Sequence, residues 1–463
     1  MKNENKKPKK AIFALSAFPD QLTYQAFTVL VFTFYFAVVG INIFLMWMAF
    51  VAWGVWNAIN DPMLGALSDR TKQRGKLGKR KFYLVISIVP LCLMMIFLFT
   101  VPTQIEFIYF VVMIFLFEFV YTIFDVNVNA LFPEQFPNEK ERASVNIYIK
   151  AFTLFAVIIA SVVPTLIISP IVPLTNSPAE VARIKLMYIN AGIFLAVITF
   201  ILGLPFLLRG IEEKEESEEN FLKRPAFFES LKFTLKNKTF VKFTIANTMI
   251  WYCFSVLLTA FPLYAVFVLG IEGDSFLIGI ILMIALLSGA LFIPIHRKIG
   301  SKIGMRNGMM VGLGVWIVTL LPLAFLSKGD AVWAMICFGA SGFGLAAALF
   351  YIDVLHADVI DQDSLKFGVK RSASYYGINA LIHRISTILS ITTIALVFSG
   401  AGWAGYDPNP GVNVIIGLRL LMFLFPALAL GIAIMFWKSY ELHGDTLDKM
   451  RAELAKHPEI KYS

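Results

Sequence analysis

Residues 53–70 read WGVWNAINDPMLGALSDR. The stretch opens with apolar sequence fit for a membrane interior and closes on the first residues of a basic loop. Between them stand Asn57, Asn60 and Asp61, followed at once by Pro62. A charge at mid-bilayer costs at least about 2.5–3.5 kcal/mol, so a carboxylate placed there needs a partner or a water-filled cavity. The spacing i, i+3, i+4 puts Asn57, Asn60 and Asp61 on one helical face. Pro62 removes a backbone donor and leaves a carbonyl one turn earlier without its helical partner, which is tolerable only where the helix borders a cavity or another helix.

The whole chain carries the same character. Of 463 residues, 58% are hydrophobic and only 15% charged, with a mean hydropathy of +0.74. That excludes an ordinary soluble domain and implies a polytopic helical membrane protein. The 44 Phe suit lipid-facing helices and interface belts. A net charge of +9 fits basic cytoplasmic loops better than nucleic-acid binding. Cys92, Cys253 and Cys337 all lie in apolar runs, show no metal spacing, and read as small packing residues. The start, MKNENKKPKK, reads as a cytoplasmic tail before a retained first helix, because the apolar stretch after it is too long for a signal peptide. No catalytic dyad, Gly-rich phosphate loop or His/Cys metal cluster is present, so an enzyme is not expected and no cofactor is implied.

Apolar windows of about 20 residues give twelve spans: 11–40, 41–67, 82–101, 107–132, 145–169, 184–208, 238–269, 275–296, 307–326, 331–354, 373–399 and 412–437. The loop after span two carries Arg70, Lys72, Arg74, Lys76, Lys79, Arg80 and Lys81, and the loop after span eight Arg297, Lys298, Lys302 and Arg306. The opposite-side connections hold few such residues, Arg183, Lys185 and Lys328 being the exceptions. Both termini are therefore expected in the cytoplasm of a protein of the cell membrane. The expected division is an N-terminal six-helix bundle (1–208), a polar linker with an interfacial amphipathic helix (209–237), a C-terminal six-helix bundle (238–437) and a cytoplasmic tail (438–463). Gly65-Ala66-Leu67 and Gly289-Ala290-Leu291 each lead into the basic loop of their half, which supports a two-fold repeat of the kind found in secondary transporters. The fold expected is all-α: twelve transmembrane helices in two six-helix bundles.

Polar groups inside the spans point to the site. Span four carries Glu118, Tyr121, Thr122, Asp125 and Asn129 as a stripe down one side of an apolar helix. Span one offers Asp20, Gln21, Tyr24 and Gln25, span five Lys150, span eleven Asn379, His383 and Arg384, and span twelve Arg419. Asp20, Lys150 and Arg419 have a second reading as helix-end groups that reach the headgroups. Glu118 has one as the partner of a basic residue, and His383 as an ordinary interface histidine. Trp251 and Tyr252 are further candidates for contact with a sugar, and their second and favoured reading is as interfacial anchors. Asp61 with Asn57, Asn60, Thr122 and Asp125 supplies hard oxygen ligands suited to Na⁺ or to a shared proton. Neighbouring carboxylates repel, so the site's charge depends on its occupancy.

Three stretches carry a resemblance. NDPMLGALSDRTKQRGKLGKRKF contains the G-x-x-x-D-R loop of the major facilitator superfamily, Gly65 to Asp69-Arg70. YTIFDVNVNALFPE and HADVIDQDSLKFGVKRSASYYGINALIHR follow in spans four and ten to eleven. Together they resemble the melibiose-permease-like glycoside–pentoside–hexuronide:cation symporters. The resemblance implies the major facilitator fold, alternating access, and a cation site beside a sugar site. Asn60 and Asp61 match the family's Asn-Asp pair on helix two, and Tyr121, Thr122 and Asp125 match helix four. Asn57 stands where an aspartate is usual, Asn129 where a tryptophan is usual, Lys150 in place of an arginine and Arg384 in place of a lysine. The implied solute site is Asp20, Tyr24, Tyr121, Asp125, Asn129, Lys150, Tyr376 and Arg384. The same pattern occurs in lysophospholipid:sodium symporters, so the fold alone does not settle the solute.

Asp69 and Arg70 on the first half, and Asp358, Asp361 and Arg371 on the second, are expected to pair and separate as a conformational gate. The function expected is symport of a small polar solute, a sugar or glycoside, with transported Na⁺ or H⁺. The alternative is an amphipathic lipid. The expected partners are the small-molecule solute and membrane lipid, with no nucleic acid, and the chain is expected to act as a monomer.

Overall fold

The computed structural model describes residues 10–71, 78–136, 139–212, 236–367 and 372–456, leaving aside a few side chains at helix ends, among them Asp69, Arg70, Tyr376 and His383. The helices are α1 (Ala17–Thr33), α2 (Ile43–Arg70), α3 (Lys79–Phe97), α4 (Glu106–Gln135), α5 (Glu139–Ile167), α6 (Pro178–Pro205), α7 (Lys238–Phe267), α8 (Ser275–Ile303), α9 (Met305–Leu320), α10 (Ala331–Phe367), α11 (Ser372–Gly400), α12 (Val412–Met422 continued by Leu424–Lys438) and α13 (Gly444–Lys456). Among the described residues eleven helical segments are long and apolar enough to cross a membrane, and α11 adds the shorter apolar stretch Arg384–Gly400. The chain is an integral multi-pass membrane protein. The interfacial helix expected around Phe227–Phe233 lies outside the described residues.

Two spans are less regular than their hydropathy suggests. The first begins as a short helix, Lys10–Ala14, turns at Leu15-Ser16, and ends in a π-helical turn, Phe34–Val38. The twelfth breaks at Phe423, whose backbone leaves helical geometry at φ −128°, ψ −63°. Helix starts carry local reasons in the sequence. The Asn42 side chain accepts from the Phe44 amide at 2.9 Å and opens α2. Asn237 accepts from the Thr239 and Phe240 amides at 3.0 and 3.3 Å and opens α7. Gly78 enters α3 at φ +75°, a backbone region that disfavours residues with a Cβ.

The chain divides into two compact units. One comprises residues 1–223 with 272–279 and 404–409, the other 224–271, 280–403 and 410–463. In the first unit α2 packs on α4, α3 on α4 and α6, and α1 on α5. Apolar surface gains little from leaving lipid, so these contacts rest on close packing and hydrogen bonds. An aromatic column does much of the packing. Phe27 stacks on Phe117 at 4.5 Å and on Trp53 at 5.8 Å, Phe50 joins Trp53 to Phe110, and Tyr35 closes on Phe110 at 4.3 Å.

In the second unit α7 packs on α11 and α12, and α9 on α10. Polar rungs join α7 to α11: Asn247 to Asn379 at 2.9 Å, Ser255 to Ser390 at 2.7 Å and Tyr252 to Thr393 at 2.8 Å. Tyr252 is buried and serves this ladder, which corrects its reading as an interfacial anchor. Gly342 of α10 sits so close to α8 that a Cβ would lie 1.9 Å from the Ser288 hydroxyl and 2.7 Å from the Gly289 nitrogen. Gly65 of α2 likewise faces Val126 of α4. The paired glycines of the sequence repeat therefore occupy equivalent helix contacts, α2 on α4 and α8 on α10. Cys92, Cys253 and Cys337 are buried free thiols, as their apolar settings predict.

Candidate transport site

The stripe on α4 meets two different helices. Tyr121 and Thr122 are adjacent, and consecutive residues point about 100° apart around a helix. Thr122 faces α2, where its hydroxyl donates to Asp61 Oδ1 at 2.9 Å. Tyr121 faces α1, where its hydroxyl donates to Asp20 Oδ1 at 2.6 Å. One helix thus carries contacts to both of the acidic sites that the sequence singles out.

The α2 side is the more enclosed. Asn57, Asn60, Glu118 and Thr122 are buried, and Asp61 is half-buried. The Asn57 amide donates to Glu118 Oε1, and the Asn60 amide donates to the Glu118 carbonyl at 3.3 Å. With both amide nitrogens turned to α4, the side-chain oxygens of Asn57 and Asn60 are buried without a hydrogen-bond partner among the described residues. A buried carbonyl left in that state costs about 1–3 kcal/mol. Two such oxygens beside two carboxylates and a hydroxyl make a donor set of hard oxygens, which fits a small alkali cation or a proton held between acids.

Glu118, which the sequence offers both as a group of the polar stripe and as the partner of a basic residue, contacts the asparagine face of α2 through Asn57. Its i, i+4 relation to Thr122 was the clue, because that spacing puts both on the same side of α4. The expected cation ligand Asp125 accepts from Asn129 at 2.7 Å, one turn further along the same helix.

The α1 side is more open and more aromatic. Asp20 accepts from Gln21 at 2.8 Å as well as from Tyr121. The rings of Tyr24 and Tyr121 lie 5.0 Å apart. Asp125 stands within electrostatic reach of the Tyr121 hydroxyl. Asn129 and Lys150 are exposed. Carboxylates with an aromatic face beside them can accept paired hydroxyl groups while an apolar ring surface packs on the tyrosine.

In the second unit Arg384 is half-buried on α11, and the Tyr376 side chain lies outside the described residues. Arg419 donates to the Leu326 carbonyl at 2.8 Å, in the manner of a helix-end group. Of the expected gate, the side chains of Asp69 and Arg70, and Arg371 altogether, lie outside the described residues. Asp358 is buried and takes Arg451 of α13 at 2.9 Å, a partner that the sequence reading did not foresee. Asp361 is half-buried on the same helix, α10. A second buried network ties the ends of α2, α3 and α4. Arg80 donates to the Glu134 carboxylate at 2.9 Å and to the Ser68 hydroxyl at 2.8 Å.

Compared with known proteins, residues 12–443 match the model of the family described as MFS/sugar transport protein. The chain belongs to that family. Its MFS/sugar transport relatives differ in what they are named for. A Danio rerio sodium-dependent lysophosphatidylcholine symporter is 21% identical over 94% of this chain and 85% of its own length. A candidate sulfoquinovose importer of Salmonella typhimurium is 23% identical over 90% of this chain and 86% of its own. Among solved structures, the nucleoside transporter NupG superposes with a TM-score of 0.64 at 14% identity, covering 93% of this chain and all of that one. That likeness shows the fold, the major facilitator architecture expected from the sequence.

Proposed function

We propose that the protein is a secondary symporter of the cell membrane, with both termini cytoplasmic, that moves a small polar solute together with Na⁺ or H⁺ by alternating access. The solute class favoured is a sugar or glycoside. The observation that carries the reading is the double role of α4, whose Glu118 and Thr122 meet the polar face of α2 while Tyr121 meets Asp20 of α1. In this reading Asn57, Asn60, Asp61, Glu118 and Thr122 hold the cation, with Asp125 at the edge toward the solute. Asp20, Tyr24, Tyr121, Asn129 and Lys150 contact the solute. A bound cation relieves repulsion among the acids and fixes α4, and so favours the arrangement of its other face that takes solute.

The lysophosphatidylcholine relative supports a second reading, an amphipathic lipid as solute. One experiment separates the two. The thermal midpoint of the purified protein is followed against a panel of sugars and lysophospholipids, with Na⁺ and with K⁺, at neutral and acidic pH. A sugar that stabilises more in the presence of the coupling ion supports the first reading, since linkage is reciprocal. Stabilisation confined to the lysolipids supports the second. A panel in which neither ion nor solute shifts the midpoint rejects symport.

A further inference from the structure

The chain beyond α12 is bound to the ends of three helices. Lys242 of α7 donates to the Ser439 carbonyl at 2.8 Å and to the Glu441 carboxylate at 2.7 Å. Arg306 of α9 donates to the Tyr440 carbonyl at 3.2 Å. Both cations thereby lie just past the C-terminal end of α12, where the helix dipole favours positive charge. Tyr440 is buried, and its hydroxyl donates to the Leu355 carbonyl of α10 at 3.0 Å. The polar helix α13 follows. Met450 is buried, with Leu447 and Leu454 half-buried, at a spacing that makes one narrow apolar stripe. Beside that stripe Arg451 donates to Asp358 Oδ1 at 2.9 Å.

The ion pair is lopsided. The Asp358 side chain is 5% exposed and that of Arg451 is 52% exposed. Asp358 Oδ2 is buried with no hydrogen-bond partner among the described residues. The carboxylate is thus built into α10 while its cation arrives on an element that faces solvent. A helix of 13 residues is marginal by itself in water, so α13 depends on its dock. Lifting it leaves a buried carboxylate without its guanidinium, a state relieved by a proton, by water or by rearrangement of the end of α10. Docking of α13 is thereby coupled to the state of that end.

We propose that Ser439–Lys456 is a conformational strap. Docked through Arg451 and Asp358, it binds the terminus-side ends of α7, α9 and α10 into one block, and its release frees the end of α10 during the transport cycle. The proposal rests on the alternating-access reading for its purpose, though its structural readout is independent of any solute or ion.

The test uses the full chain in detergent. By hydrogen–deuterium exchange, Arg451→Ala is expected to speed exchange across residues 444–456 and 355–363 by at least about tenfold, with the rest of the chain unchanged. Arg451→Lys is expected to restore part of the protection. Asp358→Asn removes the buried charge with little change of shape, should loosen 444–456 alone, and carries the test if Arg451→Ala does not fold. The cycle is read at Ser169, whose hydroxyl donates to the Gly273 carbonyl at 2.9 Å. Ser169→Cys is labelled with a maleimide against a background of three buried native cysteines. Loosening the strap is expected to change the labelling rate by at least about threefold, as a shift in population requires. Unchanged exchange in both variants overturns the docking claim. Faster exchange of the strap with unchanged labelling overturns the conformational role and leaves a passive anchor. Loss of symport in the thermal panel, with both strap readouts intact, rejects the transport reading and not the strap.

Discussion

Asn57 of α2 donates its side-chain amide to the Glu118 carboxylate of α4. The resemblance to cation symporters leads one to expect an aspartate at position 57, and the chain supplies the second acid of this face from the neighbouring helix instead. The number of carboxylates is kept while their distribution changes, with Asp61 on α2 and Glu118 reaching the same face from α4.

Glu118→Gln preserves shape and hydrogen bonding and deletes the charge. It is expected to raise the cation concentration needed for half-maximal thermal stabilisation by about tenfold or more, the size of a hydrogen bond or ligand contact to a charged group. The fold should persist, since glutamine still meets Asn57. An unaltered cation titration would remove Glu118 from the site.

Much of this was legible in the sequence for a simple physical reason. Hydrocarbon penalises polar groups so strongly that twelve apolar windows and the acids within them stand out without any knowledge of packing. Asp61 and Thr122 were found that way, and they are bonded to each other. The partner of Glu118 stays open in the sequence, because helical spacing fixes which residues share a face and not which neighbour that face meets. The strap was not legible at all. Arg451 and Asp358 are 93 residues apart, and a polar helix after the last span looks like any tail. The kinks at Leu15-Ser16 and Phe423 were likewise invisible, since apolar content is continuous through both.

Asn57→Asp adds a third carboxylate where one already lies in contact. Like charges in a dry site repel, so the variant is expected to lose about 1–3 kcal/mol of stability without cation. Cation should restore most of it. The measurement is the thermal midpoint with and without Na⁺, whose rise should exceed that of the parent. A smaller rise would mean that the cation does not sit beside Asn57.

Tyr121→Phe tests the other face of α4. It removes the hydroxyl that donates to Asp20 at 2.6 Å and keeps the ring beside Tyr24. Solute affinity is expected to fall about five- to tenfold, for the loss of about 1–1.5 kcal/mol, while cation stabilisation stays as in the parent. Equal losses in both titrations would show that the two faces are not separate sites.

Glu134→Ala removes the carboxylate from buried Arg80. Glu134 is 40% exposed, so water offsets part of the loss, and the expected destabilisation is about 2 kcal/mol, below the range for a fully buried pair. Denaturation midpoints in detergent measure it. Because Arg80 also holds Ser68 of α2, hydrogen exchange at the end of α2, residues 64–70, should quicken in the variant.

Glu441 gives the strap a dependence on pH. It lies beyond the last membrane span, and its carboxyl is held below the ordinary value of 4.5 by the hydrogen bond from Lys242, then by the charges of Lys242 and Lys238. A carboxyl lowered on folding contributes stability that is fully present above its unfolded pKa and is lost as pH falls through the folded one. The Glu441 side chain is 62% exposed, so the contribution is at most about 0.5 kcal/mol. Exchange protection of Ser439–Leu442 should therefore be higher in the parent than in Glu441→Gln at neutral pH, and the two should converge as the pH falls well below the ordinary carboxyl value of 4.5. The exchange rates must be corrected for their own pH dependence before comparison. Parallel curves, with the difference unchanged in acid, would show that Glu441 acts there through shape and not through charge.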